Sequence, residues 1–238
     1  MRRDGRNHKR WMLLMVLGLL LIAAALFLGA YNLWDDSRAG MASRQIVEKL
    51  PKPSESEPLS LDPEEQVIPD YQLNPDMEMP EMEIEGNDYI GTLEIPDLDL
   101  SLPVMGDWSY PKLKIAPCRY NGSAYQGGLV IAAHNYSRHF GRLNQLQPGS
   151  QVKFTDIDGN VFEYKVAEIQ NLEPAAIEEM TDSGWDLSLF TCTFGGQSRI
   201  TVRCQKTEKS GMLLCFELRT FYRDIGDHKN KKSQEKAT

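Results

Sequence analysis

An unbroken apolar run over residues 11–31 restricts this chain more than any other feature. Its length of about 21 residues matches what a helix needs to cross the hydrocarbon of a bilayer, where the backbone can satisfy its polar groups only as a helix or a closed barrel. Trp11 stands at one edge of the run and Tyr31 and Trp34 at the other, positions where amphipathic rings favour the interface. Arg2, Arg3, Arg6, Lys9 and Arg10 precede it, and Asp35 and Asp36 follow. Positive charge stays on the cytoplasmic side of a membrane. Residues 1–10 therefore read as a cytoplasmic tail and 11–34 as a single-pass anchor in the cell membrane, with everything beyond Trp34 outside the cell. A cleaved signal peptide with the small exit Leu28-Gly29-Ala30 is the competing reading, although its apolar region would run only about 7–15 residues.

Residues 35–86 change in character. Ala39, Ala42, Ile46, Val47 and Leu50 are spaced loosely for one face of a helix continuing off the membrane. Pro51, Pro53, Pro58, Pro63, Pro69, Pro75 and Pro80 then recur among Glu and Asp residues. Proline removes backbone donors and like charges repel, so the segment is predicted to be an extended, semi-rigid extracellular stalk. Its acidic, Met-bearing part, residues 70–85, offers a lid over the domain as the alternative, but such composition predicts a solvated strand of chain.

The remaining chain is long enough for one domain, and 41% hydrophobic content suffices for a core. A net charge of -8 argues against a nucleic-acid partner, which a basic face would attract. Cys118, Cys192, Cys204 and Cys215 have no CxxC spacing and are too sparse for a disulfide scaffold, so a thiolate metal site is not expected. Apolar runs with turn punctuation predict strands at residues 89–95, 98–104, 112–116, 128–133, 151–155, 160–169, 187–194, 199–205 and 212–222. Short helices are expected at 136–146 and 175–180. The domain, residues 87–223, thus reads as mainly β, a roughly eight-stranded barrel with short helices rather than a βαβ fold. Residues 224–238 form a polar tail.

Chemistry concentrates at residues 187–204. Two β-like runs flank Gly195-Gly196-Gln197-Ser198, a hairpin signal that brings Cys192 and Arg199 to one rim of a sheet. A nearby cation favours the thiolate and stabilises charge developing on a substrate oxygen. Of the four histidines, His8 lies before the anchor and His228 in the tail, whereas His134 ends the run at 128–133 as Cys192 ends its own. His139 lies five residues on. Arg199, Thr201 and Arg203 share one face of their strand, with Ile200, Val202 and Cys204 on the core face. The two arginines are roughly 13 Å apart, so only one can adjoin Cys192, and the turn favours Arg199. Thr191 could support the substrate or merely the strand end.

At these residues the chain resembles the sortases, membrane-anchored cysteine transpeptidases of Gram-positive bacterial surfaces. Leu189-Phe190-Thr191-Cys192 resembles the end of the family's Thr-Leu-x-Thr-Cys signature, with Ser188 where its first Thr would stand. Arg199 falls where the family places its catalytic arginine, Ala132-Ala133-His134-Asn135 resembles the region of the catalytic histidine, and residues 89–96 are similar to the opening strand. The resemblance implies a sortase-like barrel in which Cys192, His134 and Arg199 are catalytic and Thr191 binds substrate. It implies cleavage of an LPxTG-like sorting signal through a Cys192 thioester, then transfer to an amine acceptor such as a cell-wall peptide precursor, anchoring surface proteins. An idle sortase-like binding module and a simple thiol endopeptidase are the alternatives. No cofactor is expected. Calcium stimulation, known in some sortases, would fall to Glu173, Glu178, Glu179, Asp182 and Asp186, but these lack ordered ligand spacing and read as a solvated, substrate-facing loop. Asp62-Pro63 is followed by Glu64 rather than an aromatic residue, which departs from the lid of pilin-polymerising sortases.

Overall fold

The computed structural model describes residues 4–51, 69–182 and 184–207. Nine strands among them form one sheet: β1 (Met82–Ile84), β2 (Asn87–Ile95), β3 (Leu100–Met105), β4 (Cys118–Ser123), β5 (Gly127–Ala132), β6 (Gln151–Asp156), β7 (Val161–Leu172), β8 (Leu187–Cys192) and β9 (Arg199–Lys206). Their order is β1-β2-β3-β4-β5-β8-β9-β7-β6, and β2 also pairs with β6. Strands β2 to β9 therefore close into an eight-stranded barrel, the architecture expected from the sequence, with β1 added along β2. Closure depends on Gly91, the partner of Asp156, where a Cβ would stand 2.1 Å from the Thr155 carbonyl oxygen. Alternating residues fill the interior, among them Ile90, Leu93, Leu129, Ile131, Phe154, Phe162, Leu189 and Val202.

Before the barrel, α1 (Asp4–Val47) is one continuous helix, long and apolar enough to cross a membrane. Beyond its apolar stretch, Ala39, Ser43, Ile46 and Leu50 are buried. Their spacing of four, three and four residues is that of one helix face. This face lies on the barrel beside β3, so the chain just past Trp34 is docked helix rather than stalk.

Residues 69–84 differ from the solvated segment that their charge predicts. A short helix, α2 (Asp70–Leu73), sets the Tyr71 ring on that of Tyr125 at 4.9 Å, while Met79 is buried in the core and β1 pairs with β2. Apolar side chains between the acids bury themselves while the carboxylates remain outside, where Glu81 pairs with Arg119. The strand predicted at 112–116 is instead a turn of helix, α3 (Tyr110–Leu113). Ser109 caps it by accepting from Lys112 N–H at 3.3 Å, and Pro111 occupies the first turn, where its missing N–H costs nothing. The helix predicted at 136–146 reduces to a 3-10 turn, Leu143–Gln145, whereas α4 (Ile177–Thr181) lies where a helix is expected. The predicted strand at 212–222, Cys215, His228, the tail and Asp62 to Glu64 lie outside the described residues.

Candidate active site

The hairpin of β8 and β9 sets the site. Its register runs from Leu187 opposite Cys204 to Cys192 opposite Arg199. Beyond that rung Thr193 N–H donates to the Ser198 carbonyl at 2.9 Å, and Gly195 and Gly196 turn the chain with φ of 84° and 73°, values that glycine adopts without strain. Residues opposed in an antiparallel pair project to the same face with Cβ atoms about 4.5–5.5 Å apart, so the Cys192 thiol and the Arg199 side chain are neighbours. Arg199 Nη1 donates to the Gly196 and Ser198 carbonyls, each at 3.2 Å, which holds the guanidinium at the turn.

Strand β5 supplies the third residue. It runs parallel to β8 with Ala132 beside Phe190, and Ala133 N–H donates to the Phe190 carbonyl at 3.1 Å. His134 follows two residues after the last β5–β8 pair, as Cys192 follows two residues after Phe190, but it is not among the residues that line the cleft of Cys192 and Arg199. Thr191 locks this junction: its hydroxyl is buried and donates to the Ala133 carbonyl at 2.9 Å. Of the two roles expected for Thr191, support of the substrate or of the strand end, this bond supplies the second, with the side chain on the interior face of the strand.

Cys192 and Arg199 open into a cleft of about 180 Å³. Its floor includes Ala132 and Phe190. One wall is aromatic, with Tyr120 edge-on to Phe190 at 5.2 Å and Trp108 beside Tyr120 at 5.4 Å. The opposite wall comes from residues 173–180 and includes Ile177 and Met180. This aromatic wall is absent from the sequence reading. The only available signal was the recurrence of Trp108, Tyr110 and Tyr120 outside any regular apolar period. No residue from 69–86 lines the cleft, so that segment is not a lid over Cys192.

Residues 93–207 match the family model described as a sortase domain. These residues form a sortase domain. Among similar solved structures are sortase C from Clostridium perfringens SM101 and sortase C1 from Streptococcus suis. The first is 26% identical with a TM-score of 0.44, covering 51% of this chain and 71% of that one. The second is 28% identical with a TM-score of 0.46, covering 51% and 74%. A Clostridium perfringens sortase C solved with the C-terminal cell wall sorting motif is 24% identical, with a TM-score of 0.45 and coverage of 52% and 72%. No curated protein matches the chain.

Within this sortase domain the other described thiols are set apart from Cys192. Cys118 and Cys204 are fully buried, and burial pushes each up to about 12, which keeps them protonated and inert. His134 is half-buried. Burial lowers its pKa and the Lys114 charge lowers it further, while the Asp35 carboxylate acts in the opposite sense. Its Nδ1 accepts from the Asn135 N–H at 3.1 Å. With Nδ1 so engaged, a neutral ring carries its proton on Nε2.

Arg203 lies on the same face of β9 as Arg199 but is only 1% exposed. It donates to the Ser188 hydroxyl at 2.8 Å and to the Glu179 and Met180 carbonyls in the last turn of α4, at 2.6 and 3.4 Å. The outer face of the strand, open in the sequence reading, is thus covered here by α4, and the loop expected to be solvated is fastened to the sheet. Among the described residues no cluster of three or more His, Cys, Asp or Glu side chains is arranged to hold a metal ion.

Proposed function

We propose that the protein is a membrane-anchored cysteine transpeptidase that cleaves an LPxTG-like sorting signal and passes the acyl group to an amine. The pairing of Cys192 with Arg199 across one rung of a sortase domain, in a cleft lined by Ala132 of β5 two residues before His134, carries this reading. A His134 ring with a lowered pKa starts neutral at neutral pH, and once its Nδ1 gives up the Asn135 N–H it can take the thiol proton at that nitrogen. The Cys192 thiolate then attacks the scissile carbonyl carbon. The guanidinium of Arg199 offsets the charge on the carbonyl oxygen. As the C–N bond breaks, the His134 imidazolium gives its proton to the departing amine, leaving a Cys192 thioester. An incoming amine attacks that carbonyl and loses a proton to His134, and the C–S bond breaks to restore the thiol. Surface proteins with a C-terminal sorting signal and a cell-wall peptide amine fit these two roles, and α1 holds the domain on the outer side of the membrane.

The full chain in detergent micelles, given an LPxTG-type fluorogenic peptide and a set of amines, tests the proposal. Cleavage, a thioester detected on Cys192 by mass spectrometry and amine-linked product formed at the expense of hydrolysis are expected. Cys192→Ala should be inactive. Cleavage retained by that variant would overturn the assignment, and hydrolysis unaffected by any amine would reduce the protein to a thiol endopeptidase.

A further inference from the structure

The loop leaving β5 is bonded to the N-terminal helix. Tyr136 O–H donates to Asp35 Oδ2 at 2.5 Å, Ser137 Oγ donates to Asp36 Oδ2 at 2.5 Å, and Arg138 N–H donates to Asp36 Oδ1 at 3.3 Å. Arg38 fixes Asp35 in turn, with Nη2 2.9 Å from Oδ1. Both carboxylates follow directly on Trp34, at the end of the apolar stretch. A turn later Gly40 meets Arg138 so closely that a Cβ would stand 2.9 Å from Arg138 Cγ. The helix and the loop are therefore in van der Waals contact as well as hydrogen-bonded.

Tyr136 is the link between this contact and His134. Its ring lies 4.5 Å from the His134 ring at 45°, and its carbonyl accepts from the N–H groups of His139 and Gly141 at 3.0 and 2.8 Å. Backbone, ring and hydroxyl are all held. We infer that Tyr136, fastened to Asp35 of the N-terminal helix, is a positioning residue that sets the orientation of the His134 imidazole. The inference rests on His134 being the acid-base group of the proposed reaction. A hydrogen bond to a carboxylate is roughly twice as strong as a neutral one, so the phenol is a firm wall against which the imidazole packs. Orientation of an acid-base group is where transfer rates are most easily lost. The helix that anchors the domain is by this contact part of its catalytic scaffold.

Charged and titratable groups face His134 from three elements: Asp35, with its partner Arg38, from α1; Lys114 from the turn after α3; and His139 from its own loop. Asp35 favours the imidazolium and Lys114 disfavours it. The two charges give opposite signs to a test, which a purely structural tie between helix and loop would not.

Full-length protein in micelles, with its histidines labelled at Cε1 and the His134 signal assigned through His134→Gln, reports the titration independently of turnover. Asp35→Asn should move the His134 ionisation to lower pH and Lys114→Gln to higher pH. In parallel, Tyr136→Phe, which keeps the ring and removes the hydroxyl, should lower kcat about 3- to 10-fold with KM unchanged. A His134 titration unmoved by Asp35→Asn, or a Tyr136→Phe enzyme with wild-type kcat, overturns the inference while leaving Cys192 chemistry intact. Titrations that move as expected in a protein whose Cys192→Ala variant still cleaves would instead keep the coupling to α1 and remove the transpeptidase reading.

Discussion

Replacing Arg203 by Met separates the two arginines of β9 by what each one does. The substitution keeps most of the aliphatic stem and so limits the cavity, but it removes the donors to Ser188, Gln170 and the Glu179 and Met180 carbonyls. Two of these bonds, at 2.6 and 2.8 Å, are short and made by a charged donor. Such bonds contribute about 1.5–3 kcal/mol each, and a buried acceptor left alone costs about 1–3 kcal/mol. Part of this is returned because the guanidinium no longer has to be desolvated. A net loss of about 3 kcal/mol is expected, which for a domain of this size lowers Tm by about 10 °C. Arg199→Met removes only two 3.2 Å bonds to turn carbonyls and should cost less than about 1 kcal/mol. Urea unfolding of both variants in micelles, followed by circular dichroism, measures the difference. Activity should show the reverse weighting. Arg199→Met should abolish turnover, while Arg203→Met below its melting point should chiefly raise KM, because the α4 wall of the cleft loosens. An Arg203→Met protein with wild-type stability, or an Arg199→Met protein that is the less stable of the two, would refute the reasoning.

Gly91→Ala places a methyl group 2.1 Å from the Thr155 carbonyl, at a backbone φ of 152° that disfavours a side chain. The β2–β6 rung must open, and a loss of about 3 kcal/mol or more is expected as a lowered urea midpoint; an unchanged midpoint would mean the barrel closes elsewhere. His139 is buried between the loop and α1, with Nε2 3.1 Å from Ser43 Oγ, and burial pushes it down to about 4. The unfolded chain protonates this ring below about 6.5 and the folded one does not, so stability is complete above about pH 6.5 and falls as pH drops towards 4, by up to about 3 kcal/mol. His139→Gln should flatten that part of the profile, and a variant whose urea midpoint falls as steeply as wild type between pH 7 and 4.5 would show that other groups account for the loss.

The parts of the site that could be read from sequence are those fixed by neighbours in the chain. Cys192 and Arg199 end and begin two apolar runs around a Gly-Gly turn, so their pairing needs only the hairpin. His134 was visible because residues 128–133 form a continuous apolar run with a sharp end. Features set by a distant partner were not visible. Ser43 is a polar residue on the buried face of α1, while Ala42 and Val47, candidates for that face, are only partly covered. What selects the face is the surface of β3 and the loop at His139, which no periodicity in α1 reveals. In residues 70–84 the acids dominate the composition, but Tyr71, stacked on Tyr125 and tilted against Phe162, and Met77 and Met79, packed with the barrel core, decide the placement. At α3 the alternation of residues 112–116 suggested a strand, yet Ser109 and Pro111 carried the stronger local instruction.

The fate of Arg203 shows how the connection between β7 and β8 shapes the cleft. Arg199, Thr201 and Arg203 project from one face of β9, and α4 covers that face from one end only. Its Met180 sits over Thr201, with Sδ 4.0 Å from the hydroxyl, and its last carbonyls reach Arg203. Chemically identical side chains four residues apart thus end as a scaffold cation under α4 and a cleft cation beside it. The hairpin register sets Arg199 opposite Cys192, and the position at which α4 stops determines which arginine is covered. Because Arg203 is also the residue that fixes α4, the buried arginine sets the boundary that leaves the other one open to substrate.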